Sequence, residues 1–294
     1  MSAGWSVPSR VIWTCLPESP MRTSGGLGRS CFKLLYMILG RDETERYRRD
    51  GYLQLDRPIL PEEEVLNGRD RIEDLLAGWG TLPTNKARGK RHSKASPPQI
   101  AEIRGATALD GELGQLEIVR LCRNLAAELL ARRRVWFHFD HVFSKQPSED
   151  SRVLWHQDRA YSLTGMATHA VHIWIPMQTV SEQNGCMSYI PHSHREGLKK
   201  HTLSERLGGV VQRCTPVNES RAVACPVHIG GVICHDPMTM HASGPNTSDA
   251  VRIAWVLQFG IGPWTAAREL ARPLQIAVHR RGDQTRRGDL SAVG

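Results

Sequence analysis

The chain has 294 residues, of which 40% are hydrophobic and 23% charged. That composition belongs to an ordinary globular protein and excludes disorder of the whole chain. The length suits one large domain or two small ones, and the net charge of +8 raises the question of an anionic partner.

Residues 1 to about 40 are rich in Ser, Gly, Pro and Arg with no sustained period, which predicts a disordered arm. Asp42 to Asp50 reads as a short charged helix stopped by Gly51, and Tyr52, Leu53 and Leu55 as a strand. Pro61 followed by Glu62, Glu63 and Glu64 marks a helix start, with acids on the positive end of the dipole. A loop rich in Gly, Pro and Lys follows over 80–98. Leu113, Leu116, Val119, Leu121, Leu125, Leu129 and Leu130 then predict one helix from about Asp110 to Arg132.

After Arg134 the period changes to two: Val135, Phe137 and Phe139 alternate with Trp136, His138 and Asp140. Further strand-like runs cover His169 to Met177, Met187 to Ile190, Ala222 to Ile229, Gly231 to His235 and Val251 to Phe259. Helices first and many short strands afterwards predict an α+β chain whose second half is a β-sandwich or closed barrel.

No apolar run approaches the roughly 20 residues of a membrane helix; the longest is Leu34 to Leu39. The N-terminus has no signal-peptide layout. Seven cysteines without a CxxC pair speak for reduced thiols over a disulfide framework or zinc ribbon, and so for a cytoplasmic protein. The basic excess gathers at Lys86, Arg88, Lys90, Arg91 and Lys94, and in the tail at Arg268, Arg272, Arg280, Arg281, Arg286 and Arg287. No nucleic-acid-binding signature accompanies it. Solvated loops explain it; so does a landing patch at 86–94 for a phosphorylated substrate or an acidic carrier.

Chemistry concentrates in the second half. His156 and Asp158 stand two apart just past an extended segment, and in a strand i and i+2 share a face. Among 13 histidines such a pair is a weak signal alone. Gly230-Gly231, an apolar strand, Asp236-Pro237 and then His241 before Ser243-Gly244-Pro245-Asn246 make a tight local frame. Arg252 follows, inside a strand that is apolar on both faces. An arginine there is costly without an anion. A structural Asp or Glu would serve; a bound ligand carboxylate explains it more economically. Two histidines and a carboxylate with one face open form the facial triad of non-haem Fe(II) oxygenases, and zinc hydrolases use similar sets. A buried arginine favours the oxygenase, because 2-oxoglutarate has a distal carboxylate that needs such a partner.

With these residues in place, the chain resembles the phytanoyl-CoA dioxygenase family of Fe(II)/2-oxoglutarate oxygenases over roughly residues 41–262. The motifs that carry the resemblance are Trp155-His156-Gln157-Asp158-x-x-Tyr161, Trp174-Ile175-Pro176-Met177, Asn184-Gly185-Cys186-Met187, Ile190-Pro191-His192-Ser193-His194, and His241-x-Ser243-Gly244-Pro245-Asn246 with Arg252. Arg49-Asp50-Gly51-Tyr52 resembles the family's N-terminal entry.

The resemblance implies a double-stranded β-helix, a jelly-roll barrel, with the N-terminal helices packed on one sheet. The expected division is an arm over 1–40, an oxygenase domain over 41–264 (helical to 133, barrel from 134) and a basic tail over 265–294. It implies Fe(II) held by His156, Asp158 and His241, with O2 and 2-oxoglutarate as co-substrates. It implies 2-oxoglutarate bound by Arg252, assisted by Ser243 and Trp174, with Arg104 reaching it from ahead of the second helix. Tyr161 and Gln157 flank the metal, within reach of substrate or co-substrate. Asn184 to His194 is expected to be structural, His235 to support the metal from behind or pack, and His138, His141, His169 and His172 to be wall or surface residues, with His169 or His172 near the mouth.

The implied reaction is hydroxylation of a small molecule, such as a natural-product or acyl intermediate, releasing succinate and CO2. Cyclisation, desaturation and epoxidation use the same ligands. A non-catalytic binding barrel is the reading from another class.

Overall fold

The structure is a computed structural model. It describes residues 37–83, 85–89, 98–161, 169–204, 211–214 and 216–262. Most of the expected arm, the tail, and Lys90, Arg91 and Lys94 of the basic run lie outside these residues.

Helix α1 (Arg41–Asp50) begins where the Gly40 N–H donates to the Glu43 carboxylate, and it carries Asp42 and Glu43 in its first turn and Arg48 and Arg49 in its last. It ends at Gly51, whose φ of +84° closes the last turn through an N–H to the Tyr47 carbonyl. Strand β1 (Tyr52–Leu55) and helix α2 (Glu62–Ala77) follow. Packing starts before α1: Leu39 is buried, and the N–H groups of Ile38 and Leu39 donate to the Glu128 carboxylate.

The helix expected over 110–132 is a correction. A short helix α3 (Ala106–Leu109) precedes that range, which holds a 3-10 turn at Leu113–Gln115 and α4 (Glu117–Leu129). Gly111 and Gly114 weaken the first half. Leu113 and Leu116 still join the core, which is why their spacing looked helical.

The remaining strands are β2 (Ala87–Gly89), β3 (Ile100–Arg104), β4 (Trp136–Lys145), β5 (Val153–His156), β6 (Ala170–Pro176), β7 (Met187–Tyr189), β8 (His201–Ser204), β9 (Val211–Cys214), β10 (Val223–Cys225), β11 (Val232–His235), β12 (His241–Ser243) and β13 (Arg252–Gly260). They form a seven-stranded sheet in the order β1-β11-β6-β13-β4-β3-β2, a four-stranded sheet β10-β7-β12-β5 and a β8-β9 hairpin, with antiparallel pairings. The two larger sheets are the halves of a double-stranded β-helix. The expected strand 222–229 shortens to β10 because Pro226 has no N–H for the ladder.

One face of the large sheet carries Val171, Ile173, Ile175, Ile253, Trp255, Leu257 and Phe259, packed with Ile72, Ile118, Cys122 and Leu125 of the helices. The alternate residues Trp174, Ile233, Ala254 and Val256 face inward, onto Met187, Tyr189 and Cys225 of the small sheet. Burial on both faces explains why β13 reads as an unbroken apolar run. Among the described residues no helix is long and apolar enough to cross a membrane, and the five described cysteines are free and buried.

Candidate active site

The site is built between the two large sheets. His156 ends β5 and His241 opens β12, and the two are register partners with ring centroids 4.2 Å apart. Asp158 does not continue the strand, contrary to the same-face expectation. It starts a 3-10 turn, Asp158–Tyr161, tied down by Arg159 N–H to the Pro237 carbonyl (2.9 Å) and Ala160 N–H to the Gln157 carbonyl (3.0 Å). The turn swings Asp158 Oδ1 to 3.4 Å from His156 Nε2 and 3.6 Å from His241 Nε2. These gaps exceed hydrogen-bond length and approach the spacing of donors sharing one ion at about 2.0–2.2 Å each.

The tautomers follow from neighbouring carbonyls. His156 Nδ1–H donates to the Leu154 carbonyl (2.8 Å) and His241 Nδ1–H to the Thr239 carbonyl (2.9 Å). A carbonyl only accepts, so in the neutral ring each Nε2 carries the lone pair and faces Asp158 Oδ1. Burial, reinforced by His156, pushes the His241 imidazole well below its usual pKa and favours that neutral form. Burial alone would raise the Asp158 carboxyl; the facing His241, His172 and His156 outweigh it and hold the group well below the usual carboxylate range. Two imidazoles and one carboxylate, with ligand atoms within 4.8 Å of one another, fit a divalent metal of the iron or zinc type.

The far oxygen of the carboxylate faces the other sheet. His172 on β6 and His235 on β11 are register partners there. His172 Nδ1–H donates to Asp158 Oδ2 at 2.6 Å and His235 Nε2–H at 3.1 Å, while Tyr189 O–H donates to His235 Nδ1 at 3.1 Å. His172 was expected in the wall or at the mouth; it stands on wall strand β6, and its side chain reaches the Asp158 carboxylate. His235 supports the site from behind, one of the two roles foreseen for it.

Arg252 opens β13, 2% exposed, with its Cζ 5.7 Å from the Trp174 ring centroid. Its register partner on β4 is Lys145, which is 0% exposed. Among the described residues neither has a carboxylate ion-pair partner, and Arg252 Nε has no acceptor. Burial lowers the pKa of Arg252 to about 10, and burial together with Arg252 drives Lys145 well below its ordinary value. Two buried basic groups side by side, with no carboxylate partner among the described residues, are destabilised in their charged forms and would be relieved by an anion. Lys145 Nζ donates to Ser243 Oγ (2.8 Å), the Ser243 carbonyl (3.3 Å) and the Gly244 carbonyl. With its oxygen accepting from Lys145, the Ser243 hydroxyl is left free to donate. Sequence reasoning missed Lys145; the only signal was a lysine within an alternating apolar strand.

Other expected residues take other places. Arg104 is buried over the Phe139 ring (5.1 Å) and 3.8 Å from Glu102, and its strand partner is His141. That register sets it four residues, roughly 13 Å, along β4 from Lys145. Gln157 was expected to meet substrate or co-substrate. Its side chain is fully buried and spent on the backbone, donating to Gly197 and Met238 and accepting from Lys199. His192 and His194 tie to the end of α1, His192 Nδ1–H donating to the Arg49 carbonyl at 2.8 Å. The Tyr161 side chain lies outside the described residues, and of the basic run only Lys86 is described in full.

Asn246 fixes the turn between Lys145 and β13. Its amide donates to the Lys145 and Ala250 carbonyls, and its backbone N–H bonds to Ser151 Oγ. Gly185, at φ +79°, packs under the same turn; a Cβ there would meet the Gly244 carbonyl oxygen at 2.7 Å.

The chain is similar to known proteins in sequence and in fold. A protein from Danio rerio, phytanoyl-CoA dioxygenase domain-containing protein 1, is 28% identical over 113 residues, covering 37% of this chain and 39% of that protein. The L-proline trans-4-hydroxylase of Streptomyces griseoviridis is 25% identical over 266 residues, covering 80% of this chain and 92% of its own. The crystal structure of EvdO2 from Micromonospora carbonacea var. aurantiaca, complexed with 2-oxoglutarate, superposes with a TM-score of 0.63 at 24% identity, covering 78% of this chain and 94% of its own, and shares the fold. The family model described as phytanoyl-CoA dioxygenase matches residues 47–254. The chain belongs to the phytanoyl-CoA dioxygenase family of Fe(II)/2-oxoglutarate-dependent oxygenases.

Proposed function

We propose that this protein hydroxylates an unactivated C–H bond of a small molecule, with Fe(II) held by His156, Asp158 and His241 and 2-oxoglutarate anchored at Arg252. The observation that carries this reading is the Arg252–Lys145 pair: two buried basic groups with no carboxylate partner among the described residues, in a fold that also brings together three donors within reach of one ion. A hydrolytic zinc centre gives that pair nothing to bind.

When bound, Fe(II), 2-oxoglutarate and O2 supply the oxidant that converts C–H to C–OH, releasing succinate and CO2. The chain's own residues position and shield. Arg252 neutralises the distal carboxylate and fixes the co-substrate's direction. Ser243 donates its hydroxyl to the same group, and Trp174 walls it against water. Asp158 supports hydroxylation over halogenation, because a carboxylate that would hold the metal leaves no place for the halide that halogenation needs. Cyclisation, desaturation and epoxidation would use the same residues and differ only in how the substrate lies.

Natural-product or acyl intermediates, including phosphorylated or carrier-linked ones drawn to the basic run at 86–94, are the substrate class we favour. The positive net charge supports that choice. Five free buried thiols support a reducing, cytoplasmic setting.

The test is succinate formation from 2-oxoglutarate by Fe(II)-loaded protein over a panel of such acids, with the products identified by mass. Substrate-dependent succinate and a product 16 Da heavier, both lost in His241→Ala, are expected. No succinate with any substrate, from protein shown to hold iron, sinks the catalytic reading in favour of a binding barrel.

A further inference from the structure

We infer that His172 and His235 are positioning residues that hold Asp158 to the metal through one oxygen only. The inference rests on the metal-centre reading above. A carboxylate can bind a metal through one oxygen or through both, and the choice decides how many metal positions remain for other ligands. Here the two oxygens have separate duties. Oδ1 faces the His156–His241 pair of the small sheet at 3.4 and 3.6 Å. Oδ2 accepts from the His172–His235 pair of the large sheet at 2.6 and 3.1 Å. Each pair is a cross-strand register pair, so each sheet presents its two imidazoles together.

Distance separates the two roles. Donors about 2.1 Å from a shared ion stand about 3 Å or more apart. The 2.6 Å between His172 Nδ1 and Oδ2 is too short for that and right for a charge-assisted hydrogen bond. His172, His235 and Asp158 therefore do not hold a second ion, although they are close enough together to suggest one. His235 is in turn fixed by Tyr189, which is fully buried and stacks on Tyr52 at 4.7 Å. The hold thus runs back into the packed interior, and it spans the gap between the sheets. Without it, Asp158 would sit at the start of a short turn, free to rotate its second oxygen toward the metal.

The test uses Co(II) as a redox-stable probe on the full chain. In the His172→Leu/His235→Leu double variant, Co(II) affinity should fall about 10–100-fold, the usual scale for losing such supports. The visible Co(II) spectrum should change as Asp158 takes a different mode. His172→Asn, whose amide stands where Nδ1 stood, and His235→Gln, whose amide stands where Nε2 stood, each keep an N–H donor and should recover most of both. Should the double variant fail to fold, His235→Leu against His235→Gln makes the same comparison.

Affinity and spectrum unchanged in a folded double variant overturn the inference. So does a wild-type titration that takes up two equivalents of Co(II) and drops to one in the double variant. His241→Ala keeps the outcomes apart: if it binds Co(II) like wild type, the metal centre itself is misassigned; if it alone loses the ion, only the two-histidine hold is wrong.

Discussion

Replacing Arg252 by methionine should make the ligand-free protein more stable while removing its co-substrate affinity. The guanidinium is 2% exposed, has an Nε without an acceptor and has its pKa driven down to about 10, chiefly by burial. At about 1.4 kcal/mol for each pH unit of that fall, holding the charge costs about 3 kcal/mol. Methionine removes the cost and forfeits the contact with Trp174, about 1 kcal/mol. A net gain of about 1–2 kcal/mol remains, which in a domain of this size raises Tm by about 2–8 °C. A bound carboxylate would lose two charge-assisted hydrogen bonds of about 1.5–3 kcal/mol each, so 2-oxoglutarate affinity should fall at least about 100-fold. Calorimetric titration of 2-oxoglutarate into Co(II)-loaded protein, paired with a thermal melt of the apo form, reads both numbers. A variant that melts several degrees lower and still binds 2-oxoglutarate would refute the reasoning, because the charge would then be serving the fold.

The remaining expectations concern the same site. Lys145→Met leaves the Ser243 and Gly244 carbonyls without their donor. It should weaken 2-oxoglutarate binding about 10-fold with Co(II) affinity unchanged; equal co-substrate affinity would count against Lys145. Gly185→Ala forces a Cβ against the Gly244 carbonyl at φ +79°. A loss of about 2 kcal/mol, or about 4–8 °C in Tm, is expected by calorimetry. For pH, burial lowers the pKa of both His241 and His235 in the folded protein, while the unfolded chain titrates near 6.5. Below that value the unfolded chain binds more protons, so apo stability is full above about pH 6.5 and is lost as pH falls. Urea midpoints from pH 7.5 to 5.5 should decline, and less steeply in His241→Ala; identical slopes would contradict this. Asp158, with its lowered pKa, adds its own loss only as pH falls below the ordinary carboxylate value near 4.

What the sequence disclosed and what it hid divide along a physical line. His156, Asp158, His241 and Arg252 stood out because each sits in a short local frame: a two-residue spacing, a Gly-Gly strand with an Asp-Pro turn, and a charge inside an apolar run. The barrel class was legible from the change of period after Arg134. Strands of three to five residues, such as β3, β5 and β12, were not, because so few residues cannot establish a period. Gly111 and Gly114 broke a helix whose leucines nonetheless reached the core.

Lys145, His172 and His235 acquire their roles from register. Nothing near Lys145 in the chain announces Arg252, which lies 107 residues on and meets it only because β4 pairs with β13 in one alignment. A slip of one residue would turn Lys145 toward the helices and put Ser144 in its place. The same holds for His172 and His235: their partnership exists because β6 and β11 align them on the inner face. The proposed metal ligands and the side chains packed against them are therefore specified differently. A motif search can find the first; only the pairing of strands assembles the second. Variants that shift register without touching any site residue should damage the site from behind, weakening the anion pocket and the hold on Asp158 before the fold itself gives way.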